Sequence, residues 1–490
     1  MTASTPLPGF DQLERPPREK ITSCIHCGLC LDKCPTYRTL GTEMDSPRGR
    51  IYLIKAVDDG RLAMTPNFVE HMYLCLDCRA CETACPSHVQ FGDLMEKARG
   101  QIERHLPRPW PERLLRRLVF QELFPHPRRL AFLWHVLHWY QRLGLQHLVR
   151  QLDILELFPG LLKRLEATLP EVLARPFSRS VPAILPGKPP VTRQVGFFTG
   201  CVMNLLFTEV HHASARVLQA NGCTLWIPAQ QVCCGALHMH AGEREQARQL
   251  ARRNIVAFEQ QPVDVIVNNA AGCGAQLKSY GELLAEDPVF AERAQRFSAK
   301  VQDIAECLAQ EPLRGPLGPV PQRVAYDDPC HLLHAQRIRQ QPRDLLQSIP
   351  ELQLVPVPDA DFCCGAAGIY NITHHEVSMQ ILTRKMEHIM AVQPDVIATG
   401  NGNILVGYNA NAPSDTSNYL NIGGLITGQM DTGPVTISKA LVHSAGIGVF
   451  GTAAPASKPT VTGAKGSNAA LASLLAALVS YGLITDSTTA

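Results

Sequence analysis

A chain of 490 residues is too long for one hydrophobic core, and with 45% apolar and 18% charged residues it is a globular multidomain protein, not a disordered one. Its formal charge of +2 argues against a nucleic-acid partner. No apolar run of the roughly eighteen residues that would span a membrane occurs, and no apolar signal core opens the chain, so a cytoplasmic location is expected.

All 17 cysteines lie between Cys24 and Cys364, and in a reducing compartment such a set reads as metal ligands or redox groups. Residues 1–100 carry one pattern twice. Cys24, Cys27, Cys30 and Cys34-Pro35 are followed by Cys75, Cys78, Cys81 and Cys85-Pro86. This is the spacing by which ferredoxins hold [4Fe–4S] clusters, the fourth cysteine of each run ligating the other cluster. Cluster one is therefore assigned to Cys24, Cys27, Cys30 and Cys85, and cluster two to Cys75, Cys78, Cys81 and Cys34. Zinc needs no third and fourth cysteine at these intervals, and disulfides would suit an exported chain. Residues 48–74 and the segment after Cys85 have apolar positions at helical spacing, which predicts a helical two-cluster ferredoxin module.

Residues 101–190 are rich in Leu, Arg, His and Trp, with Pro107, Pro109, Pro111, Pro125 and Pro127 as breaks, and read as a helical linker. Its stretch 128–152 is an amphipathic, basic, aromatic helix or helix pair. Two readings stand: a packing helix between domains, or contact with a membrane surface or partner subunit.

Residues 191–404 contain a duplication, with α/β units at 191–315 and 316–404. Each holds an upstream cysteine, a Cys-Cys-Gly, a helical segment and an Asp-Val-Ile strand. The first unit has Cys201, Cys233, Cys234 and Cys273; the second has Cys330, Cys363 and Cys364. Adjacent cysteines before glycine suit two thiolates aimed at one metal centre, a further iron–sulfur cluster or zinc, with buried structural cysteine as the alternative. Cys273 lies nine residues beyond Asp264, where the second unit has Ile404 beyond Asp395, so the second centre is expected to be incomplete. Cys223 and Cys307 have no counterparts and read as core residues. Histidines 211, 212, 238, 240, 331, 334, 374 and 375 crowd both units and are expected to be satisfied by packing and hydrogen bonds. From 405 onwards the chain contains no Cys, Arg or Glu and is rich in Gly, Ala, Ser and Thr, a foreign segment by composition.

The runs CIHCGLCLDKCPTYRTLGTEMDSPRGRIYLIK and CLDCRACETACPSHVQFGDLMEKAR, with the two Cys-Cys-Gly units, resemble the iron–sulfur subunit of bacterial glycolate oxidase over residues 1 to about 401. The resemblance implies an electron-transfer subunit whose flavin-containing dehydrogenase partners oxidise glycolate to glyoxylate. Electrons would go on towards a quinone or other acceptor, and the location would be the cytoplasmic face of the inner membrane. No glycine-rich dinucleotide fingerprint occurs here, so no catalytic residue is assigned to this chain and the flavin chemistry is placed on the partners. The same residues leave open an equivalent subunit of a lactate or glycerol-3-phosphate dehydrogenase, or a catalytic subunit like that of heterodisulfide reductase. Beyond Asn401 the resemblance stops. The tail is similar to the terminal region of bacteriophage head-fibre proteins, and a binding role set by that tail is a further alternative.

Overall fold

The computed structural model describes residues 9–152, 175–314 and 317–399, a few positions between 154 and 169, and the backbone of short strands beyond 403. The chain divides into two compact units, Met1–Leu405 and Val406–Ala490. In the second, Tyr419–Asn421, Ile426–Gln429 and Thr436–Ile437 pair antiparallel, and Thr460–Ala464 pairs parallel with Thr485–Thr489. The remainder of the tail, with its likeness to fibre proteins, lies outside the described residues, as does the side chain of Ile404.

The N-terminal module is helical because its punctuation and its apolar spacing agree. Ser46 and Thr65 cap the helices Pro47–Asp58 and Pro66–Tyr73, each accepting a backbone N–H, and each helix has proline at its first position, where no hydrogen bond is lost. Ile51, Ile54, Phe68 and Met72 face inward to meet Leu94, Met95, Ala98 and Ile102 of the helix Phe91–His105. This small core leaves two cysteine loops on its flank.

The linker continues as helices Trp110–Arg116, Pro127–Arg142 and Leu145–Gln151. Ala131 and Trp134 of Pro127–Arg142 turn inward, and Trp134 packs against Leu205 and Leu206 of the following α/β unit.

Each α/β unit is built on a parallel sheet. In the first, β1 (Ile184–Leu185), β2 (Arg193–Phe197), β3 (Cys223–Trp226), β4 (Val265–Asn268) and β5 (Val301–Asp303) lie in the order β1-β3-β2-β4-β5, with only β1 antiparallel. Strand β1 joins this sheet although it precedes residue 191. In the second unit, β6 (Arg323–Asp327) lies between β7 (Gln353–Val355) and β8 (Val396–Thr399), all parallel. The duplication extends to single hydrogen bonds. Asp264 accepts the Gln194 N–H at 2.7 Å, and Asp395 accepts the Arg323 N–H at 2.8 Å, so the same aspartate ties the central strand to its neighbour in both copies. In each unit the central strand (β2 or β6) is flanked by strands that follow it in sequence. The carboxyl end of such a strand is the crevice where α/β sheets bind ligands.

Candidate cysteine centres

The two ferredoxin-type loops share a backbone conformation. Left-handed φ angles occur at His26 (55°) and Gly28 (86°) in the first, and at Asp77 (53°) and Arg79 (61°) in the second. These turns curl three cysteines towards one point, and in the second loop the Asp77 N–H donates to Cys75 Sγ at 3.3 Å. A cavity lies inside that loop, and its lining includes Cys34, Cys75, Cys78 and Cys81. In the first loop Cys24 has Cys27 and Cys85 as its thiol neighbours, while Cys27 is exposed. The structure thus brings Cys34 to the second loop and Cys85 to the first.

The second set is buried beside two guanidinium groups. Arg50 is fully buried; it donates through Nε to the His71 carbonyl at 2.7 Å and through Nη1 to Thr36 Oγ1 at 3.0 Å, and Thr36 is hydrogen bonded to Cys34 Sγ at 3.2 Å. Arg99 donates through Nη2 to the carbonyls of Met72 and Cys75. Burial pushes the Cys75 thiol up to about 11 against the pull of Arg50 and Arg99, and burial likewise takes Cys30 to about 11. Protons leave such thiols readily only when a cation replaces them. Four thiols from two chain segments round one cavity, flanked by fixed positive charge, fit the donor set of a [4Fe–4S] cluster.

In the first α/β unit Cys201, Cys233 and Cys273 follow β2, β3 and β4 at their carboxyl ends. Cys201 meets Cys233, and the Cys234 thiol donates to Cys273 Sγ at 3.2 Å, so all four predicted thiols come together. The Cys-Cys-Gly turn needs its glycine: Gly235 has φ +90° and its N–H donates to Cys233 Sγ at 3.5 Å. Asn254, fully buried, accepts the Val232 N–H at 2.8 Å and donates to the Cys233 carbonyl at 3.0 Å, while the Tyr280 hydroxyl donates to the Cys234 carbonyl at 2.8 Å.

The second unit repeats the turn. Gly365 has φ +85° and donates to Cys363 Sγ at 3.4 Å. Lys385 fills the place of the bracing side chain, donating to the Ala360 and Phe362 carbonyls at 2.7 and 2.8 Å while paired with Asp327. Cys330, Cys363 and Cys364 come together, and Cys363 also meets Cys78 of the ferredoxin-type loop. A hydrogen bond from Cys363 lowers the Cys364 thiol to about 7. Sequence spacing carries no sign of the Cys78 contact.

The histidines have mundane partners. His211 donates to the Thr199 carbonyl (2.9 Å), His238 to the Phe120 carbonyl (2.8 Å) and His334 to the Asp361 carbonyl (2.9 Å). His212 meets Ser180, His374 meets Thr373, and His375 meets the Asn371 carbonyl. His240 and His331 both reach the second cysteine loop, at the Asp77 carboxylate (3.1 Å) and the Asp77 carbonyl (2.9 Å). Asp77, Glu96 and His240 bring donor atoms within 4.8 Å of one another. Arg79 takes one Glu96 oxygen at 3.2 Å and Arg244 approaches the other at 3.9 Å, so this group is an ion-pair network that repels a cation.

A ferredoxin-type cysteine module packed against two α/β units, each with its own thiol cluster at the carboxyl edge of a sheet, defines an iron–sulfur protein of the electron-transfer class. Family models agree: a 4Fe-4S dicluster domain matches residues 20–89, the linker region of the glycolate oxidase iron-sulfur subunit matches 111–169, and the CCG cysteine-rich domain matches 195–278 and 324–403. The chain is 41% identical over 396 residues to the probable glycolate oxidase iron-sulfur subunit of Bacillus subtilis, covering 80% of this chain and 89% of that one. It is 34% identical to the glycolate oxidase iron-sulfur subunit of Escherichia coli, over 78% of this chain and 88% of that one. Lactate utilization protein A of Geobacillus thermodenitrificans is 30% identical over 48% of this chain and 91% of its own length. The chain belongs to the family of glycolate oxidase iron–sulfur subunits.

Proposed function

We infer that this chain is the electron-transfer subunit of a glycolate oxidase (glycolate dehydrogenase) complex, relaying electrons from flavin-bearing partner subunits that oxidise glycolate to glyoxylate towards a quinone or other acceptor. The observation that carries the reading is the cavity lined jointly by Cys34 and by Cys75, Cys78 and Cys81, four thiols in the crossed arrangement of a two-cluster ferredoxin. Two [4Fe–4S] clusters are assigned, one to Cys24, Cys27, Cys30 and Cys85 and one to Cys75, Cys78, Cys81 and Cys34. Cys201, Cys233, Cys234 and Cys273 are assigned to a further cluster, and Cys330, Cys363 and Cys364 to an incomplete centre. Bound clusters supply one-electron redox chemistry. The protein's part is to exclude water, hold the sulfurs and set the potential through hydrogen bonds and nearby charge. Arg50, Arg99 and the Asp77 N–H are the groups placed for that task.

The domain limits proposed are 1–100, 101–190, 191–315, 316–404 and 405–490. Among the described residues no helix is long and apolar enough to cross a membrane. Peripheral contact with the cytoplasmic face of the inner membrane is supported instead by the helix Pro127–Arg142, which turns Phe132, Val136 and Trp139 to solvent along the face opposite Ala131 and Trp134, with exposed Leu143 just beyond its end. Residues 108–152 hold eight arginines against two glutamates, which suits anionic headgroups.

The test is co-purification with the flavin subunits, followed by electron paramagnetic resonance after adding glycolate. Reduced [4Fe–4S] signals that appear with glycolate support the assignment. Signals that appear with lactate or glycerol 3-phosphate, and not with glycolate, would move the chain to one of those dehydrogenases.

A further inference from the structure

Cys223 and Cys307, without counterparts in the second unit, are core residues by burial, yet they meet in space. Cys223 opens β3, and Cys307 lies on the helix Ile304–Ala309 that follows β5. Both belong to one buried cluster, and their thiols interact directly. Arg193, the register partner of Cys223 across β2 and β3, donates through Nη1 to the Cys307 carbonyl at 3.2 Å and approaches Cys307 Sγ at 3.8 Å. Its Nη2 donates to Glu311 at 3.2 Å, which fixes the guanidinium over the sulfur. A small open cavity of about 20 Å³ is lined by Arg193, Asn221, Cys223, Cys307 and Glu311, so the sulfurs border a space with room for a solute little larger than water.

This pair stands apart from the cluster cysteines. Arg193 and Cys223 are the first residues of their strands, whereas Cys201, Cys233 and Cys273 follow the carboxyl ends of theirs. The sheet separates the two sets.

We propose that Cys223 and Cys307 form an oxidisable dithiol site for small hydroperoxides, with Cys307 as the attacking sulfur and Cys223 as the resolving one. The polarity follows from the neighbours. The Arg193 guanidinium, held by Glu311 and 3.8 Å from Cys307 Sγ, favours the thiolate at Cys307. In the first step Cys307 sulfur attacks a peroxide oxygen. An S–O bond forms, the O–O bond breaks and, for hydrogen peroxide, one water leaves, giving a sulfenic acid. Cys223 sulfur then attacks the Cys307 sulfur, the S–S bond forms, the S–O bond breaks and the second water carries off the Cys223 proton. Two sulfurs lose two electrons and the peroxide gains them. The bridge closes a loop that contains Cys233, Cys234 and Cys273, so it staples the first unit round its own thiol cluster.

The experiment treats the full-length chain, purified with its clusters, with one to a few equivalents of hydrogen peroxide. Free thiols are then alkylated and the unreduced protein is digested with trypsin. The expected product is peptide 217–244 linked to peptide 301–314, with iron content unchanged and the link lost on dithiothreitol treatment. The link should vanish in Cys223→Ser and in Cys307→Ser, and should form about ten-fold more slowly in Arg193→Gln, with recovery in Arg193→Lys. Because Cys233 and Cys234 lie on the same tryptic peptide, a link that survives in Cys223→Ser would overturn the proposal. So would a link that appears only after iron is released, or a Cys307 that is alkylated equally with and without peroxide.

Discussion

Cys78 and Cys363 meet thiol to thiol, although one belongs to the second ferredoxin-type loop and the other to the second Cys-Cys-Gly turn. The contact is seated in a shared apolar cluster of Leu76, Ala80, Phe362, Tyr370 and Ile381. Lys33 pairs with Asp361 at 3.1 Å beside it, and Arg38 lies 4.8 Å over the Phe362 ring. The second α/β unit thus shields the cluster-two cysteines directly, and its own thiols abut them with no intervening layer. Replacing Cys78 with serine should abolish glycolate-dependent dye reduction by the assembled complex, whereas Cys363→Ser should leave the eight N-terminal ligands and their iron in place. Iron analysis and a dye assay on both variants decide this; unchanged turnover in Cys78→Ser would defeat the electron-relay reading.

Arg50 is the charge most directly committed to cluster two. Arg50→Met removes a buried cation beside a centre that becomes more negative on reduction. Its potential should fall by on the order of 50 mV, the equivalent of about 1 kcal/mol of lost attraction. Asp45, paired with Arg50 at 3.2 Å, would be left with His71 at 2.9 Å, so stability should also fall by roughly 3 kcal/mol. Redox titration followed by electron paramagnetic resonance reads the first effect, and thermal unfolding the second.

The two Cys-Cys-Gly glycines should differ in their response to alanine. Both need a left-handed φ, which costs an alanine about 1–2 kcal/mol. A Cβ at Gly235 would sit 3.4 Å from Ala247 atoms, in ordinary contact, whereas at Gly365 it would lie 2.6 Å from the Ser378 carbonyl oxygen. Gly365→Ala should therefore be the more destabilising by at least ~1 kcal/mol. Equal losses in melting temperature would argue against this account.

Asp303 caps the helix Ile304–Ala309 from a buried position, accepting the Ala305 N–H at 2.9 Å. Burial, with Glu306 nearby, raises its carboxyl from 3.8 to about 7. Between those values the folded chain holds a proton that the unfolded chain has released, so stability is full below pH 4 and is lost as pH rises towards 7. The slope is on the order of 1 kcal/mol per pH unit. Asp303→Asn keeps a capping oxygen and should flatten the profile; urea unfolding at pH 5 and pH 8 measures the difference.

Vesicle flotation tests the exposed stripe of Pro127–Arg142. Phe132→Ser with Trp139→Ser should reduce binding of the complex to anionic vesicles several-fold, without loss of dye-coupled activity. Wild-type protein that fails to float with anionic vesicles at low salt would remove the membrane reading and leave the stripe to a protein partner.

Much of this architecture is legible in the chain because its signals are local. The spacing around Cys24 and Cys75 depends on a single turn, and the repeat that carries Asp264 and Asp395 preserves one hydrogen bond in both copies. The stretch 128–152 reads as an amphipathic helix or helix pair, and two helices are found there, Pro127–Arg142 and Leu145–Gln151. Other features escape because they are made by residues far apart. Cys78 meets Cys363 only when a ferredoxin loop docks on a sheet edge. Cys223 and Cys307 are correctly read as buried, but periodicity cannot say that they face each other. Nothing in the spacing of residues 48–74 singles out Arg50, and only the fold closes His71, Thr36 and Asp45 around it.

The apolar cover over Leu76 and Cys78 has a bearing on biosynthesis. A ribosome completes these residues long before it reaches Phe362, Cys363, Tyr370 and Ile381. During that interval the second cysteine loop of the nascent chain lacks this cover, open to iron delivery and equally open to oxidation. Folding of the second α/β unit ends the interval for Leu76 and Cys78, whereas Cys27 of the first loop is exposed in the folded chain as well.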